Sequence, residues 1–118
     1  MKTPKQIFGK NAEIIAVNFL KEKGYEVLVC NYRYKKAEID IIAKKDTLLL
    51  FVEVKARSTY QFGSPEDFVS LTQQKQIIMA AEEFIDKLKW VHNVRFDIIS
   101  VLIDDYKHEI IHLEDAFY

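Results

Sequence analysis

The stretch from Glu38 to Arg57 constrains the fold more than any other. It reads Glu38-Ile39-Asp40-Ile41-Ile42-Ala43, then Lys44-Lys45-Asp46-Thr47, then Leu48 to Val52 and Glu53-Val54-Lys55-Ala56-Arg57. Both arms are rich in Ile, Val, Leu and Phe, and a short polar segment joins them, which predicts an antiparallel β-hairpin. Alternation along a strand places Glu38, Asp40 and Ile42 on one side, and Phe51, Glu53, Lys55 and Arg57 on one side. Directly paired residues of a hairpin share a face. A Lys45-Asp46 loop sets Glu38 opposite Glu53, whereas an Asp46-Thr47 loop sets Asp40 opposite Glu53. In either register Glu38, Asp40, Glu53 and Lys55 crowd one face, and a three-residue loop separates the acids of the two arms. Carboxylates so gathered repel one another, and a divalent cation removes that repulsion. A solvated polar face, common in antiparallel sheets, accounts for the same alternation. Both readings stand on the pattern alone.

Around this hairpin the 118 residues predict one domain, residues 1–118, large enough for a hydrophobic core. With 49% hydrophobic residues and a net charge of −1, the composition is that of a globular chain and not a disordered one. No apolar run has membrane-spanning length, and Met1-Lys2-Thr3-Pro4-Lys5 is followed by no apolar signal core, so no membrane partner is expected. The single cysteine, Cys30, excludes an internal disulfide framework and suits a reducing, cytoplasmic setting. Its strand-like surroundings predict a buried, inert thiol. Residues 1–57 carry 12 Lys/Arg against 7 Asp/Glu, whereas residues 58–118 carry 5 against 11. The basic half is compatible with a polyanionic partner.

Helical spacing of Ala12, Ile15, Ala16, Phe19 and Leu20 predicts a first helix from about Lys10 to Lys23, closed by Gly24. Glu13 borders its apolar stripe, and position alone favours a partner of the helix dipole. Tyr25 to Tyr34 reads as a strand that turns through Lys35 and Lys36, a solvated turn able to touch phosphate. Ser58 to Asp67 reads as a loop beside the acidic strand, either a flap or a plain connection. A second helix from about Leu71 to Lys89 carries Ile77, Ile78, Ala81, Phe84, Ile85 and Leu88 on one stripe. Ser70 as N-cap with Gln73 three residues on fits a capping box. Lys75 sits near that helix's start, against the dipole, as a candidate ligand contact or a solvated lysine. Val94 to Ile103 and Glu109 to Leu113 read as closing strands. His108 and His112 are about 13 Å apart on a strand, too far to share a metal, and read as surface residues. Asp97 reads as a capped or solvent-facing acid. The order α-β-β-β-α-β-β predicts a mixed sheet covered by helices, with a parallel crossover through the second helix.

The acidic hairpin with its Glu-x-Lys resembles the PD-(D/E)xK nuclease superfamily. More closely, the chain resembles the YraN family of small bacterial proteins, related to archaeal Holliday-junction resolvases. The residues that carry this are Gly9 and Glu13, Ala37-Glu38-Ile39-Asp40, Phe51-Val52-Glu53-Val54-Lys55-Ala56-Arg57, Phe62-Gly63-Ser64-Pro65 and Arg95-Phe96-Asp97. They span nearly the whole chain. That family usually has glycine where Ala12 and Ala37 stand; the departure at Ala37 concerns turn geometry and leaves the acids intact.

The resemblance implies a restriction-endonuclease-like α/β fold and hydrolysis of a DNA phosphodiester, with branched or junction structures among the substrates. It implies Mg²⁺ or Mn²⁺ held by Asp40, Glu53, the Val54 carbonyl and Glu13, which reverses the dipole reading of Glu13. Lys55 would complete the catalytic set with Asp40 and Glu53. An ammonium among carboxylates favours an electrostatic role over that of a general base. Glu38 would support the ligands, and Arg57, Lys75, Lys35 and Lys36 are the further candidates for nucleic-acid contact. Resolvase relatives act as dimers, so a homodimer is implied. The alternative is a nucleic-acid-binding protein of the same fold with little or no turnover, and a third reading is a scaffold with a merely polar face.

Overall fold

The computed structural model describes residues 2–58, 69–104 and 107–118. The elements run α1 (Pro4–Glu22), β1 (Glu26–Tyr34), β2 (Ala37–Lys45), β3 (Leu48–Arg57), α2 (Leu71–Leu88), β4 (Asn93–Ile103) and β5 (His108–Leu113). The expected order therefore holds. The strands form one sheet in the order β1-β2-β3-β4-β5. All neighbours pair antiparallel except β3 and β4, which are parallel and joined through α2. The expected Ser58–Asp67 loop, with Phe62-Gly63-Ser64-Pro65, lies outside the described residues apart from Ser58.

The first helix starts six residues before the expected Lys10. Thr3 caps it in a reciprocal capping box with Gln6, and Pro4 fills the first turn, where its missing N–H costs nothing. Gly24, with φ +94°, ends it as expected. Ser70 caps α2 by accepting from the Gln73 amide nitrogen at 3.1 Å.

The two helices cover opposite faces of the sheet. Ala12, Ala16 and Leu20 of α1 bury against Ile41, Ala43, Leu50, Val52, Ile99 and Val101. Ile77, Ala80 and Ala81 of α2 bury against Ile39, Ile42, Leu49, Phe51, Phe96 and Ile98. Small residues on both helices let them lie close to the sheet, and the β-branched and aromatic strand residues fill the space between. The β3–β4 pair is thereby buried on both faces, as parallel neighbours require. β1 and β5 are the two edges. Edge position explains a departure from expectation: Cys30 of β1 is exposed, not buried.

Candidate functional site

The hairpin turns through Asp46 and Thr47, pairing Lys45 with Leu48. Asp46 adopts φ +52°, a left-handed conformation that Asp tolerates well. Of the two registers the sequence allows, this one brings Asp40 to Glu53. The β2–β3 ladder runs to Ile41–Val52. Beyond it the Asp40 carboxylate serves as the partner, its Oδ2 accepting the Val54 N–H at 2.7 Å.

The alternation expected for β2 fails at this point. Ile39 and Ile42 both pack on the α2 side, whereas Ile41 packs on the α1 side. Glu38, Asp40 and Ile42 are therefore not three successive members of one face. The strand turns over by one step at Asp40, and the acids still converge because the twist occurs at the site itself. Glu38, Asp40 and Glu53 line one groove of ≈360 Å³ with Lys36, Gln73, Gln76 and Ile77.

Glu53 is the group most perturbed by this arrangement. It is only 8% exposed. Burial first, then the hydrogen bond and charge of Asp40, push its carboxyl up to about 9, against a smaller opposing effect of Lys55. Gln73 of α2 donates from Nε2 to Glu53 Oε2 at 3.0 Å. The side chain that the sequence assigns to a reciprocal cap thus turns to the acid groove instead. Glu13 on α1 is not among the residues that line this groove and lines a separate one with Asn31 and Arg33; burial and the charge of Asp40 raise its pKa, while Asn31 and Lys10 act in the opposite direction. The Glu13–Lys10 pair is loose, at 3.9 Å.

The remaining candidates divide by position. Glu38 pairs with Arg33 at 2.7 Å on the rim of the groove. Lys55 follows Glu53 by two residues on β3, is partly buried, and lies level with Ser100 of β4. Lys36 lines the groove, whereas Lys35 is exposed with its ammonium 5.4 Å from the Tyr34 ring centre. Lys35 is also the left-handed residue of the turn, with φ +55°, so Ala37 begins β2 without needing glycine's freedom. Arg57 ends β3, half-buried, and Lys75 is exposed on α2 outside the residues that line the groove.

Among the described residues, no three His, Cys, Asp or Glu side chains group to hold an ion by themselves. The donor chemistry present is a carboxylate pair, Asp40 and Glu53, with all-oxygen ligands and an open groove. That fits Mg²⁺, which takes one or two carboxylates and fills its other positions with water and phosphate oxygens. It does not fit Zn²⁺, whose sites favour His and Cys.

A second polar cluster lies apart from the groove. Asp97 is fully buried. Arg95 donates to it twice, at 2.8 Å each, His112 Nε2 lies 2.6 Å from it, and the Asp115 N–H donates at 2.9 Å. The capped reading of Asp97 holds and the solvent-facing one does not. His112, with a side chain 6% exposed, is not the expected surface histidine, because β5 folds it over Asp97; His108 is exposed as expected. Sequence reasoning missed Gln73 and Asn31 as site residues. The signal for Gln73 was its place in the first turn of α2, the helix that follows the acidic strand.

Comparison with known proteins gives the same family along most of the chain. Residues 12–101 match the model of the uncharacterised protein family UPF0102. A UPF0102 protein of Christiangramia forsetii is 44% identical over 110 residues, covering 93% of this chain and 92% of its own. One of Chloroherpeton thalassium is 41% identical over 119 residues, covering 93% and 92%. One of Clostridium perfringens is 39% identical over 121 residues, covering 99% and 98%. With matches of that extent, spanning both helices and the acidic hairpin, the chain belongs to the UPF0102 family.

Proposed function

We propose that this protein is a metal-dependent nuclease that hydrolyses phosphodiester bonds of DNA, with a restriction-endonuclease-like fold and branched structures as its substrate class. One observation carries the reading: two carboxyls, Asp40 and Glu53, are held together in an open groove, with Glu53 buried and its pKa lifted to about 9. Such a pair is costly unless a cation neutralises it. Mg²⁺ or Mn²⁺, when bound, supplies that neutralising charge and polarises water and phosphate. Asp40 and Glu53 would hold it, with the Val54 carbonyl beside them and Glu13 approaching from α1.

The chain's own groups take the other roles. Gln73 fixes the orientation of Glu53 from the first turn of α2. Lys55 stabilises negative charge on the reacting phosphate from the same strand. Lys36 on the groove wall, with Lys35 beside it in the turn, receives flanking phosphates.

A second reading, a nucleic-acid-binding protein with little turnover, is favoured by one finding: the described residues hold no ready-made group of three metal ligands. Incubation with flap, junction, single-stranded and duplex DNA, in Mg²⁺, Mn²⁺ or EDTA, separates the two. The expected outcome is metal-dependent cleavage that Asp40→Asn abolishes. Binding of any of these substrates without cleavage in either metal leaves the second reading.

A further inference from the structure

β1 and its neighbour β2, which carries Asp40, turn over at the same level. In β1, Cys30 lines a groove with Lys10, Glu13 and Ile14 of α1, whereas Tyr32 packs edge-on against Phe84 of α2 at 5.1 Å. In β2, Ile41 packs on the α1 side and Ile39 on the α2 side. Residues two apart on a regular strand share a face, so each strand takes an irregular step here, which in β1 is separate from the bulge between Val27 and Val29. The ladder passes from Cys30–Ile41 to Tyr32–Ile39, which puts Asn31 and Asp40 side by side at that step. Asn31 adopts φ +56° in mid-strand. This is the left-handed region, uncommon for residues other than glycine and most accessible to Asn, Asp and His. Backbone strain of this kind persists only where its surroundings impose it, and it gathers at functional sites. Asn31 and Glu13 line one groove, where Asn31 lowers the Glu13 pKa and the charge of Asp40 raises it.

We propose that Asn31 is a positioning residue of the site. Its left-handed backbone turns β1 over beside Asp40 without shifting the β1–β2 register, so that the Asp40 carboxylate reaches β3, and its amide positions Glu13 in the groove that the two share. This rests on the reading of Asp40 and Glu53 as a metal site. Asn31 touches neither substrate nor metal in this account. It acts through Glu13 and through the path of β2.

Glycine separates the two roles, because it accepts φ +56° readily but has no amide. The experiment measures the Mn²⁺ dissociation constant by titration calorimetry, and the metal-free melting temperature, for the full chain. The proteins are the parent, Asn31→Gly, Asn31→Ala, Glu13→Gln and the Asn31→Gly, Glu13→Gln double variant. Asn31→Gly is expected to fold and to bind Mn²⁺ about tenfold more weakly, as loss of a ligand's supporting partner does. The double variant should bind no more weakly than Glu13→Gln alone, because one acts through the other. Asn31→Ala should melt below Asn31→Gly, since alanine is strained at this φ. Unchanged Mn²⁺ affinity in Asn31→Gly, or simple addition of the two losses, overturns the amide's role while leaving the metal site. A glycine variant that fails to fold, or melts no higher than the alanine variant, overturns the backbone role. A parent that binds no Mn²⁺ removes the metal reading and this proposal with it.

Discussion

Glu53 shows how a single side chain can be unfavourable for folding and still be kept in place. Folding raises its pKa from 4.5 to about 9, burial being the largest cause and Asp40 the next. The sign of the consequence follows from linkage. The folded state holds the proton more tightly, so this contribution to stability is fully present below about pH 4.5 and is lost as pH rises toward about 9. Glu53→Gln removes the ionisable group while keeping a polar side chain of similar size beside Gln73. Without metal, the variant is expected to equal or exceed the parent's melting temperature at neutral pH, with the difference growing through that window. Added Mn²⁺ should raise the melting temperature of the parent and not of the variant, because a ligand stabilises only the state that binds it. Thermal melts from pH 5 to pH 9, with and without Mn²⁺, test both halves. A variant less stable than the parent throughout, without metal, would show that the Glu53 carboxyl contributes favourably to the fold.

At the scale of elements, the hairpin was legible because its two arms are strongly apolar and its turn is short. Two registers fit the sequence, and the two-residue Asp46–Thr47 loop selects between them. The irregular step at Asn31 and Asp40 was not legible. A strict period of two assumes an uninterrupted strand, and nothing in Cys30-Asn31-Tyr32 distinguishes a left-handed asparagine from an extended one. The start of α1 was written in Thr3-Pro4-x-Gln6, which apolar periodicity overlooks because the first turn faces solvent. The Gln73 side chain departs from a capping box for a different reason: the capping geometry at Ser70 needs only the Gln73 backbone, leaving its side chain for Glu53.

The division between strand and turn also separates chemistry from binding. Lys55 lies on β3 two residues from Glu53, whereas Lys35 and Lys36 form the β1–β2 turn. On the nuclease reading, Lys55→Ala should abolish single-turnover cleavage yet weaken DNA binding only modestly, as one lost phosphate contact lowers the salt slope by about one unit. A Lys35→Ala, Lys36→Ala variant should show the reverse, with weaker salt-dependent binding and intact cleavage at saturating DNA. Equal loss of cleavage in both variants would refute this separation.

At the scale of the whole molecule, Asp97 joins parts that lie far apart in sequence. Through Arg95 it reaches the Tyr25 hydroxyl, and through His112 it reaches Lys23 at the end of α1. Through the Asp115 N–H it holds the segment after β5, whose Ala116 N–H donates to Phe96 O at 2.7 Å and whose Phe117 enters the α2-side core. The acid was visible in the sequence as a charge within an apolar strand, but its partners come from β5 and the C-terminal segment and could not be placed by spacing. Burial pushes its pKa up, yet His112, Arg95 and the Asp115 N–H together outweigh that and hold it below the ordinary 3.8. A depressed carboxyl contributes stability that is present above its unfolded pKa and is lost as pH falls through the folded value. Acid unfolding of the parent should therefore steepen below about pH 4, and this part of the slope should vanish in Asp97→Asn. Asp97→Ala leaves Arg95 and His112 facing a buried void, and removing one partner of a buried pair costs about 3–5 kcal/mol. For a domain of this size each kcal/mol shifts the melting temperature by about 4 °C, so the loss should be evident in a thermal melt at neutral pH. Because the cluster lies apart from the acid groove, Asp97→Asn should leave the Mn²⁺ affinity of the folded protein unchanged. A variant with parental stability at pH 7 and an unaltered acid slope would mean that the sheet, and not this charge, holds α1 and the C-terminal segment together.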